Sequence, residues 1–515
     1  MEFDYVVVGA GSAGCVVAAR LSEDPSVRVA LVEAGGADDH PDVAVPLATA
    51  ELFGGELDWD LATTPQDGLA GRSVTWPRGR ALGGSSTINF QMWVPGPVGD
   101  VDTWDAGPLW TSERFGPYFR RVERWAGDPA DGWTHGDAGP LWISPPRDPD
   151  PSSHAFVEAC AEVGLKPVAG GLGGSPDAGA TLTPLTQLDG RRWSAADGYL
   201  RPALDRPNLT VITGTRVHRV VLSGNRATGV RLADGVLTAR REVVLCAGAV
   251  GSPHLLMLSG IGDPDRLAAA GVEPRVALPA VGAGLHDHLV VDLPLRAAEP
   301  ATRFTDLGPA ARHAYERDRT GPFSSNLAEA VAFFRADGGA GPPDLELIWV
   351  PALFGADGAP LPGRTLGVVL LQPRSRGRVD LVDADPATPP RLDPGYLADP
   401  ADVAALVRGV RFAEEVVAAP ALRSAVSGPL EPWPADDEGL GGFVRSHAET
   451  VFHPVGTCRV GRGPDAAVDP RLKVRGVEGL RVVDASVIPH VPRGHTHAHA
   501  VAIGERGAEL IQEEQ

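Results

Sequence analysis

The sequence predicts an α/β protein of two domains, one of them built on a parallel sheet. Three observations support this fold class. The chain opens on an apolar strand that leads through a glycine-rich turn into a helical run. Regular alternation of strands and helices then gives way to irregular chain rich in Trp, Gly and Pro. A second group of apolar strands lies in the middle of the chain, which at 515 residues is long enough for a large two-lobed protein.

The first element is the segment FDYVVVGAGSAGCVVAARL, which holds Gly9, Gly11 and Gly14 in GxGxxG spacing. In a Rossmann-type domain such glycines permit a tight turn, let backbone N–H groups approach a pyrophosphate and pack the helix against the strand. The N-terminus of that helix attracts the anion. The segment therefore predicts a dinucleotide site at the edge of a parallel sheet.

The second strand ends on an acid at the spacing that such a site needs. RVALVEAG is typical of the next parallel strand, and Glu33 lies 19 residues after Gly14. A carboxylate there can hold a ribose 2′-hydroxyl, and it disfavours a 2′-phosphate. The residues that we predict to contact the dinucleotide in this part of the chain are Gly9, Gly11, Ser12, Ala13, Gly14, Glu33 and Ala34.

The chain that follows bears on which dinucleotide is bound. An NAD-dependent dehydrogenase on a Rossmann fold continues with regular βα alternation, whereas this chain becomes irregular from LFGGELDWD onward. The irregular insertion favours the larger cofactor, FAD. An NAD-dependent dehydrogenase is the alternative.

Charge and cysteine content exclude several classes of protein. The net charge of −20 argues against a nucleic-acid partner, because a binder needs a basic surface to neutralise phosphates. Cys15, Cys160, Cys246 and Cys458 are too few and too scattered for a disulfide framework or a zinc ribbon. The first strand begins by Phe3, which leaves no room for a signal peptide, and no apolar run is long enough to span a bilayer. We therefore expect a cytoplasmic protein without a membrane span.

Two glycine-rich runs further along the chain carry a family resemblance. PRGRALGGSSTINFQMWVPG, from Pro77 to Gly96, combines arginines with exposed amides that suit a diphosphate or a flavin edge. GAVGSPHLLMLSGIG, from Gly248 to Gly262, begins where a strand ends and places a proline at a helix start. Both runs resemble signatures of the glucose-methanol-choline (GMC) family of FAD-dependent oxidoreductases. PAVGAGLHDHL, TVFHPVGTCRVG and LRVVDASVIP resemble further motifs of that family in the expected order.

The resemblance implies the domain organisation. It implies a Rossmann-like FAD-binding domain with a parallel sheet, and a substrate domain whose antiparallel sheet is covered by helices and roofs the flavin. LGVVLLQPRSRGRVDLV has the alternating, apolar character of strands in such a sheet. We expect residues 1–139, 192–284 and 450–515 to form the FAD-binding domain, and residues 140–191 and 285–449 to form the substrate-binding domain.

The resemblance also implies how FAD is held. Some members of the family tether FAD covalently through a histidine, and the corresponding residue here is Ile88, so we expect noncovalent FAD. The further FAD contacts that the resemblance implies are Arg80, Leu82, Gly83, Gly84, Ser85, Asn89, Val217, Ala247, Gly248, Asp484, Ala485, His495 and Thr496.

Two histidines match the catalytic positions of the family, His453 and His497, which lie 44 residues apart. Pro454 biases the backbone of His453 toward extended conformations. An imidazole with a pKa of ~6.5 is suited to removing a hydroxyl proton near neutrality. We therefore assign His453 as the general base of an alcohol oxidation, with the hydride passing to flavin N5, and His497 as the group that holds the alcohol oxygen. Phe452 supplies an apolar wall beside the reacting carbon.

The run GHTHAHA stands where the family commonly shows GNTNAPT, and it has a second interpretation. On an extended segment His495, His497 and His499 would face one side and could bind zinc or copper. The resemblance favours the catalytic interpretation, and we predict no metal.

The end of the chain predicts a helix. Apolar residues recur at helical spacing from Val501 to Ile511, so we expect this helix to begin just after the histidines, with its positive end toward the flavin pyrimidine. For His286 and His288 in GLHDHL we expect a role in ordering a loop rather than contact with substrate.

These features together predict FAD-dependent oxidation of an alcohol to the aldehyde or ketone, with a small or aromatic primary alcohol favoured. The electrons would pass to oxygen or to a quinone or protein acceptor, and no residue decides between these. A hydroxynitrile lyase of the same family, which keeps FAD and the histidine without net redox chemistry, is an alternative beside the NAD-dependent dehydrogenase.

Overall fold

Two large sheets organise the fold. The computed structural model describes residues 2–128, 135–168, 178–299, 302–339, 341–355 and 358–514. In chain order, the strands of the two sheets are β1 (Glu2–Val8), β2 (Val29–Val32), β3 (Gly179–Leu182), β4 (Leu209–Ile212), β5 (Arg219–Ser223), β6 (Arg226–Leu232), β7 (Gly235–Leu245), β8 (Leu289–Ala297), β9 (Ala330–Phe334), β10 (Leu345–Val350), β11 (Gly363–Leu370), β12 (Val426–Pro429), β13 (Ala448–Thr450) and β14 (Leu480–Val482).

Helices connect and cover these sheets. They are α1 (Ser12–Leu21), α2 (Ser85–Ile88), α3 (Ser112–Val122), α4 (Pro151–Glu162), α5 (Gly248–Leu258), α6 (Pro264–Ala269), α7 (Pro309–Asp318), α8 (Pro400–Ala418), α9 (Asp437–His447) and α10 (Thr496–Gln512). Smaller ladders pair Leu61–Ala62 with Thr75–Trp76, Glu123–Trp125 with Leu141–Ile143, Gln187–Leu188 with Arg191–Arg192, Ile261–Gly262 with Val276–Ala277, Leu353–Phe354 with Pro360–Leu361, and Gly377–Asp380 with both Ala283–Leu285 and Arg391–Asp393. Within the described residues, no helix combines the length and the apolar character needed to cross a membrane.

The parallel sheet has the strand order β4-β2-β1-β7-β6-β5, and β14 pairs with β7. β1, β2, β4, β7 and β14 run parallel, whereas β5 and β6 add an antiparallel hairpin at one edge. From Phe3 to Val8 every residue of β1 is buried, as expected for a strand at the centre of such a sheet. The carboxyl ends of β1, β2 and β7 meet at one edge, which is where open α/β sheets bind their ligands.

The first and last helices, α1 and α10, pack against each other. Their backbones approach so closely that a Cβ atom at Gly504 would lie 2.9 Å from Cβ of Val16. Arg20 of α1 pairs with Glu505 of α10 at 2.7 Å, and the Tyr199 hydroxyl donates to the same carboxylate at 2.7 Å. This packing brings the N-terminus of α10 beside the glycine turn that precedes α1.

The second sheet is antiparallel, with the order β12-β8-β11-β10-β9-β3 and with β13 paired to β8. On one face, packed under α4 and α8, the side chains of Leu345, Leu347 and Trp349 are fully buried. The opposite face of the same strand carries Ile348 and Val350, which line a cavity. The predicted α/β fold class, with one parallel-containing and one antiparallel sheet, is confirmed.

The strands of the antiparallel sheet fall within residues 140–191 and 285–449, apart from the last residue of β13. Those of the parallel sheet fall in the remaining ranges. The division of the chain into two domains at these boundaries stays a prediction.

Candidate active site

A cavity of about 770 Å³ lies between the carboxyl edge of the parallel sheet and the open face of the antiparallel sheet. Ligand sites in proteins have volumes of roughly 300–1,000 Å³, so it is large enough for one. The predicted site residues that line it are Gly9, Gly11, Ser12, Ala13, Glu33, Ala34, Arg80, Gly84, Ser85, Asn89, Val217, Ala247, Gly248, Phe452, His453, Asp484, Ala485, His495, Thr496 and His497.

Three residues predicted to contact the cofactor do not line this cavity. Gly14 lies in α1, where a Cβ atom would come within 1.8 Å of the Gly9 carbonyl oxygen, so it serves the packing of helix against turn. Gly83 has a φ of 85°, and its N–H donates to the Ala10 carbonyl at 2.8 Å. Leu82 packs against the hydrophobic core. These three residues support the backbone and the packing around the cavity without lining it.

The glycine turn is closely packed at one end of the cavity. Gly9 has a φ of 97°, and a Cβ atom there would lie 2.6 Å from the Cys246 carbonyl oxygen. The Glu33 carboxylate accepts hydrogen bonds from the backbone N–H groups of Ala10 and Gly35, both at 2.8 Å. Burial raises the pKa of the Glu33 carboxyl above its ordinary value. This acid therefore braces the turn while it lines the cavity.

Two guanidinium groups bring positive charge to the same cavity. The Cζ atoms of Arg80 and Arg216 lie 5.5 and 4.8 Å from the centroid of the Trp59 ring. Both arginines line the cavity. An anionic diphosphate bound there would meet two cations whose planar geometry suits phosphate oxygens.

A buried acid holds the backbone around His453. Asp287 accepts hydrogen bonds from the His453 N–H and from Thr450 Oγ1, both at 2.7 Å. Phe452 has a left-handed φ of 65°, its N–H donates to Thr450 Oγ1 at 2.7 Å, and its carbonyl accepts from Arg78 at 2.8 Å. A left-handed conformation is uncommon for a bulky residue, and it persists where the surroundings hold it. The network thereby sets the direction in which His453 leaves the backbone.

The His453 imidazole contacts His288, a residue that we expected to order a loop. The two Nδ1 atoms lie 3.0 Å apart, and the ring planes cross at 79°. His288 Nε2 lies 3.1 Å from the Leu371 carbonyl oxygen, which can only accept, so Nε2 carries the proton. Burial lowers the pKa of His288 to about 3, which keeps the ring neutral. Its Nδ1 therefore accepts the hydrogen bond that His453 Nδ1–H donates.

This contact leaves His453 Nε2 without a hydrogen. Burial lowers the pKa of His453 well below its ordinary value, and the neighbouring His495, His288 and Arg78 lower it further. The ring is thus neutral near pH 7, and its Nε2 is a hydrogen-bond acceptor. Since His453 lines the cavity, this acceptor is available to a ligand.

His497 lies at the N-terminus of α10, where its Nδ1 is 3.1 Å from Ser12 Oγ. Its ring meets Trp93 edge-on at a centroid distance of 5.8 Å. Burial lowers the pKa of His497 to about 4, and none of the described residues bonds its buried Nε2. The Ser12 hydroxyl can donate to Nδ1, and in that tautomer Nε2 carries the proton. A buried polar atom left unpaired at a cavity wall indicates that a ligand completes the site.

The predicted start of the terminal helix was wrong. α10 begins at Thr496, with His495 as its N-cap, so His497 and His499 lie within its first turns. The apolar periodicity starts only at Val501, because the side chains before it face the cavity and an aromatic cluster rather than a continuous core stripe. Since successive helical residues are 100° apart, the three histidines do not share one face.

His495 pairs with a buried acid of the antiparallel sheet. Its Nε2 lies 3.1 and 3.2 Å from the carboxyl oxygens of Glu346 in β10, a side chain with no exposed surface. Its backbone N–H donates to the Val94 carbonyl at 2.7 Å, and its ring centroid lies 4.7 Å from that of His453. His495 therefore connects the antiparallel sheet to His453.

His499 packs among aromatic rings, 5.1 Å from Phe119 and 6.4 Å from Phe115 between ring centroids. Over the part of the chain that the structure describes, no group of three or more His, Cys, Asp or Glu side chains could hold a metal ion.

Comparison with known proteins decides the family. GMC oxidoreductase family models match residues 3–290 and 373–504. The chain belongs to the GMC oxidoreductase family. It is 44% identical to an uncharacterised GMC-type oxidoreductase of Mycobacterium tuberculosis over 99% of both chains. It is 37% identical to an alcohol dehydrogenase (acceptor) of Pseudomonas putida, over 99% of this chain and 95% of the relative. The structure resembles that of pyridoxine 4-oxidase from Mesorbium loti, with a TM-score of 0.91, 34% identity and complete coverage of both chains.

As a GMC oxidoreductase, the protein is an FAD-dependent enzyme, which replaces the NAD alternative. The residues present fit this cofactor. The glycine turn, Glu33, Arg80 and Arg216 line one cavity and offer backbone N–H groups, a carboxylate and two cations to a dinucleotide. Ile88 also lines it and has no atom suited to a covalent tether, in agreement with noncovalent FAD.

Several residues of this GMC site were not predicted from the sequence. Asp287 and His288 lie in the PAVGAGLHDHL motif, whose histidines we expected to order a loop. Glu346 and Asp292 are single acids within the apolar strands LELIWV and LVVDLPLRA. Glu346 is fully buried, whereas Asp292 is exposed. A buried acid in an apolar strand is rare without a partner, and for Glu346 that rarity was the available signal.

Proposed function

We propose that this GMC oxidoreductase oxidises a small or aromatic primary alcohol to the aldehyde, with His453 as the general base and His497 holding the alcohol oxygen. One observation carries the proposal: the imidazoles of His453 and His497 border the same cavity, and none of the described residues bonds His497 Nε2. The names of the Pseudomonas putida alcohol dehydrogenase and of pyridoxine 4-oxidase support an alcohol as the substrate.

The two histidines divide the chemistry. The hydroxyl of the alcohol donates to His453 Nε2 and accepts from His497 Nε2–H, which fixes the carbinol carbon in the cavity. His453 removes the hydroxyl proton as the C–H bond breaks. Bound FAD supplies the acceptor of the hydride, at its N5. The imidazolium formed on His453 keeps its Nδ1–H bond to His288, so no rearrangement of that contact is needed.

The surroundings keep water away from the reacting atoms. Phe53, Phe90 and Phe452 line the cavity near the base, and both histidines are partly buried. Exclusion of water strengthens the hydrogen bonds that hold the alcohol. The two electrons then leave to oxygen or to a quinone or protein acceptor.

An anaerobic absorbance spectrum tests the proposal. The yellow holoenzyme is mixed with a panel of primary alcohols and then opened to air. We expect one class of alcohol to bleach the flavin band, with prompt recolouring in air if the acceptor is oxygen and slow recolouring if it is a quinone or protein. Flavin that no alcohol bleaches, in a protein that releases cyanide from a cyanohydrin, would instead identify a hydroxynitrile lyase.

A further inference from the structure

A buried arginine, Arg192, lies directly behind the cavity wall. The residue is 4% exposed, and its Nη1 donates to the Asn89 carbonyl at 2.6 Å and to Asn89 Oδ1 at 2.7 Å. The same nitrogen donates to the Ser86 carbonyl at 3.3 Å. Ser86 and Asn89 both line the cavity, and Asn89 is one of the predicted FAD contacts. One layer of residues therefore separates the guanidinium group from the cavity.

The acceptors around this guanidinium group are all neutral. Its Nε donates to the Val43 carbonyl at 2.9 Å, and its Nη2 donates to Thr49 Oγ1 at 2.8 Å. Among the described residues no acid forms an ion pair with Arg192, and Asp197, the acid that acts on it most strongly, is itself paired with Arg201 at 2.8 Å. A buried charge without a counter-ion is destabilised. An anion in the cavity would reduce that destabilisation.

The charge of Arg192 acts on the catalytic end of the cavity. Burial lowers the pKa of Arg192 to about 9, so the guanidinium group is still protonated near pH 7. Burial lowers the pKa of His497 to about 4, and the charge of Arg192 acts in the same direction. Because His497 is proposed to hold the alcohol oxygen, the positive field of Arg192 is present where the alcohol reacts.

The proposed reaction creates a negative charge in this region. As the C–H bond of the alcohol breaks, its hydrogen and both bonding electrons pass to N5 of bound FAD, and the hydroxyl proton passes to His453. The alcohol becomes the aldehyde, and the flavin ring gains one negative charge. A cation that is already fixed in place stabilises a charge of this kind without reorganisation.

We propose that Arg192 is a positioning residue whose buried positive charge stabilises the negative charge that bound flavin gains on reduction. The wall between them is rigid, because Asn89 Oδ1 also accepts a hydrogen bond from the Gln91 N–H at 3.0 Å. This inference rests on the proposed function for the source of the negative charge in turnover. Its test needs no alcohol.

Sulfite binding to the oxidised holoenzyme is the first measurement. Sulfite forms an S–N5 bond with flavin and leaves negative charge on the ring, and the loss of the visible absorbance band reports the adduct. Arg192→Gln removes the charge and keeps an amide donor. We expect it to weaken sulfite binding by about tenfold, the effect of one charge acting through partly screened protein. The midpoint potential of the flavin, measured against a reference dye, should fall by about 30 mV, which is the same factor for a two-electron couple.

Three matched variants separate charge from packing. Arg192→Lys keeps the charge but not the planar set of donors, so it should lower the unfolding temperature and retain most of the sulfite affinity. Thr49→Asp places a carboxylate beside Nη2 and neutralises the charge with the guanidinium group in place, so it should weaken sulfite binding as Arg192→Gln does. Arg191→Gln removes the charge of the preceding, exposed side chain and should leave the affinity and the potential unchanged.

Two results overturn the inference. The first is a sulfite affinity and a midpoint potential that Arg192→Gln leaves at the wild-type values. The second is an equal loss in Arg192→Lys and Arg192→Gln, because the hydrogen bonds and not the charge would then matter. If Arg192→Gln does not retain FAD, the comparison passes to Thr49→Asp, and wild-type values in that variant overturn the inference.

The outcomes also separate this inference from the function on which it rests. If alcohols bleach the wild-type flavin and Arg192→Gln changes neither the sulfite affinity nor the potential, the proposed function stands and the inference fails. If no alcohol bleaches the flavin but Arg192→Gln lowers its potential, alcohol oxidation fails as the function, and the stabilisation of reduced flavin by Arg192 stands.

Discussion

The Nδ1 atoms of His288 and His453 face each other at 3.0 Å, and this contact fixes which nitrogen of the proposed base carries its proton. The Leu371 carbonyl accepts a hydrogen bond from His288 Nε2–H at 3.1 Å, so Nδ1 of the neutral His288 ring can only accept. In the other neutral tautomer of His453, the lone pairs of the two Nδ1 atoms would oppose each other. His288 is therefore a positioning residue for the nitrogen that faces the substrate.

Replacing His288 tests this positioning role. His288→Leu removes the acceptor for the His453 Nδ1 proton, and we expect kcat to fall about 100-fold, the lower end of what general-base catalysis contributes, with a smaller change in KM. His288→Asn places an amide oxygen near the former Nδ1 and should recover part of that loss. Steady-state kinetics normalised to bound flavin provides the measurement. Equal losses in both variants would show that packing, and not the hydrogen bond, matters at this position.

His453→Ala should leave FAD bound but remove most of the alcohol oxidation, by about 10²- to 10⁴-fold in kcat, because the variant lacks the imidazole that is proposed to remove the hydroxyl proton. The ratio of flavin to protein absorbance is the control for cofactor content. Turnover close to that of the wild type would contradict the assignment of the base.

His497→Asn should keep activity with an altered rate. An asparagine amide can donate the hydrogen bond that His497 Nε2–H is proposed to give, whereas His497→Ala leaves the alcohol oxygen without it. We expect kcat to change by about tenfold or less in the asparagine variant and by a larger factor in the alanine variant. Complete inactivity of His497→Asn would mean that His497 does more than hold the substrate.

The pH profile follows from the direction of the pKa shifts. A base acts when it is unprotonated, so its activity is fully present above its pKa and is lost as the pH falls through that value. Because burial holds the pKa of His453 well below 6.5, we expect kcat/KM for the uncharged 4-ethylbenzyl alcohol to stay flat from alkaline pH down to that value and to fall only below it. A titration midpoint at or above 6.5 would contradict a buried, neutral base.

Gly84→Ala should disrupt the crossing of two chain segments at the cofactor site. Gly84 has a φ of 54°, and a Cβ atom there would lie 2.6 Å from the Gly11 Cα atom. We expect loss of most bound FAD and a lower unfolding temperature. Gly71→Ala is the matched control, since Gly71 has a φ of 81° in open space and should lose only about 1–2 kcal/mol through backbone strain. Equal effects of the two variants would mean that the close approach to Gly11 is unimportant.

The nucleotide end of the site could be predicted because its determinants are local. Gly9 and Gly11 lie on one turn, and Glu33 follows the next strand, which pairs in parallel with the first and so ends at the same edge of the sheet. Spacing alone therefore located this part of the cavity wall. The assignment of His453 and His497 came from the family resemblance, because no local sequence pattern around either residue predicts that the two side chains lie close together.

The side of the cavity formed by the antiparallel sheet depends on pairing between strands that are far apart in the sequence. Whether His288 contacts His453 and Glu346 contacts His495 is set by the register of the antiparallel sheet, and a shift of one residue would turn each of them to the opposite face. The local sequence of a strand does not predict that register. The helix start at Thr496 was missed for a related reason, because a helical turn that faces a ligand cavity lacks the apolar stripe used to recognise it.

Ser12 and His497 touch at 3.1 Å although 485 residues separate them along the chain. During synthesis the turn with Ser12 leaves the ribosome early, whereas α10 emerges among the last elements. An unfinished chain can fold its first strand and turn, but it lacks the wall that α10 supplies. Completion of the cofactor site is thus tied to completion of translation, and a polypeptide cut short before His497 would be unable to oxidise any substrate, however well its parallel sheet had formed.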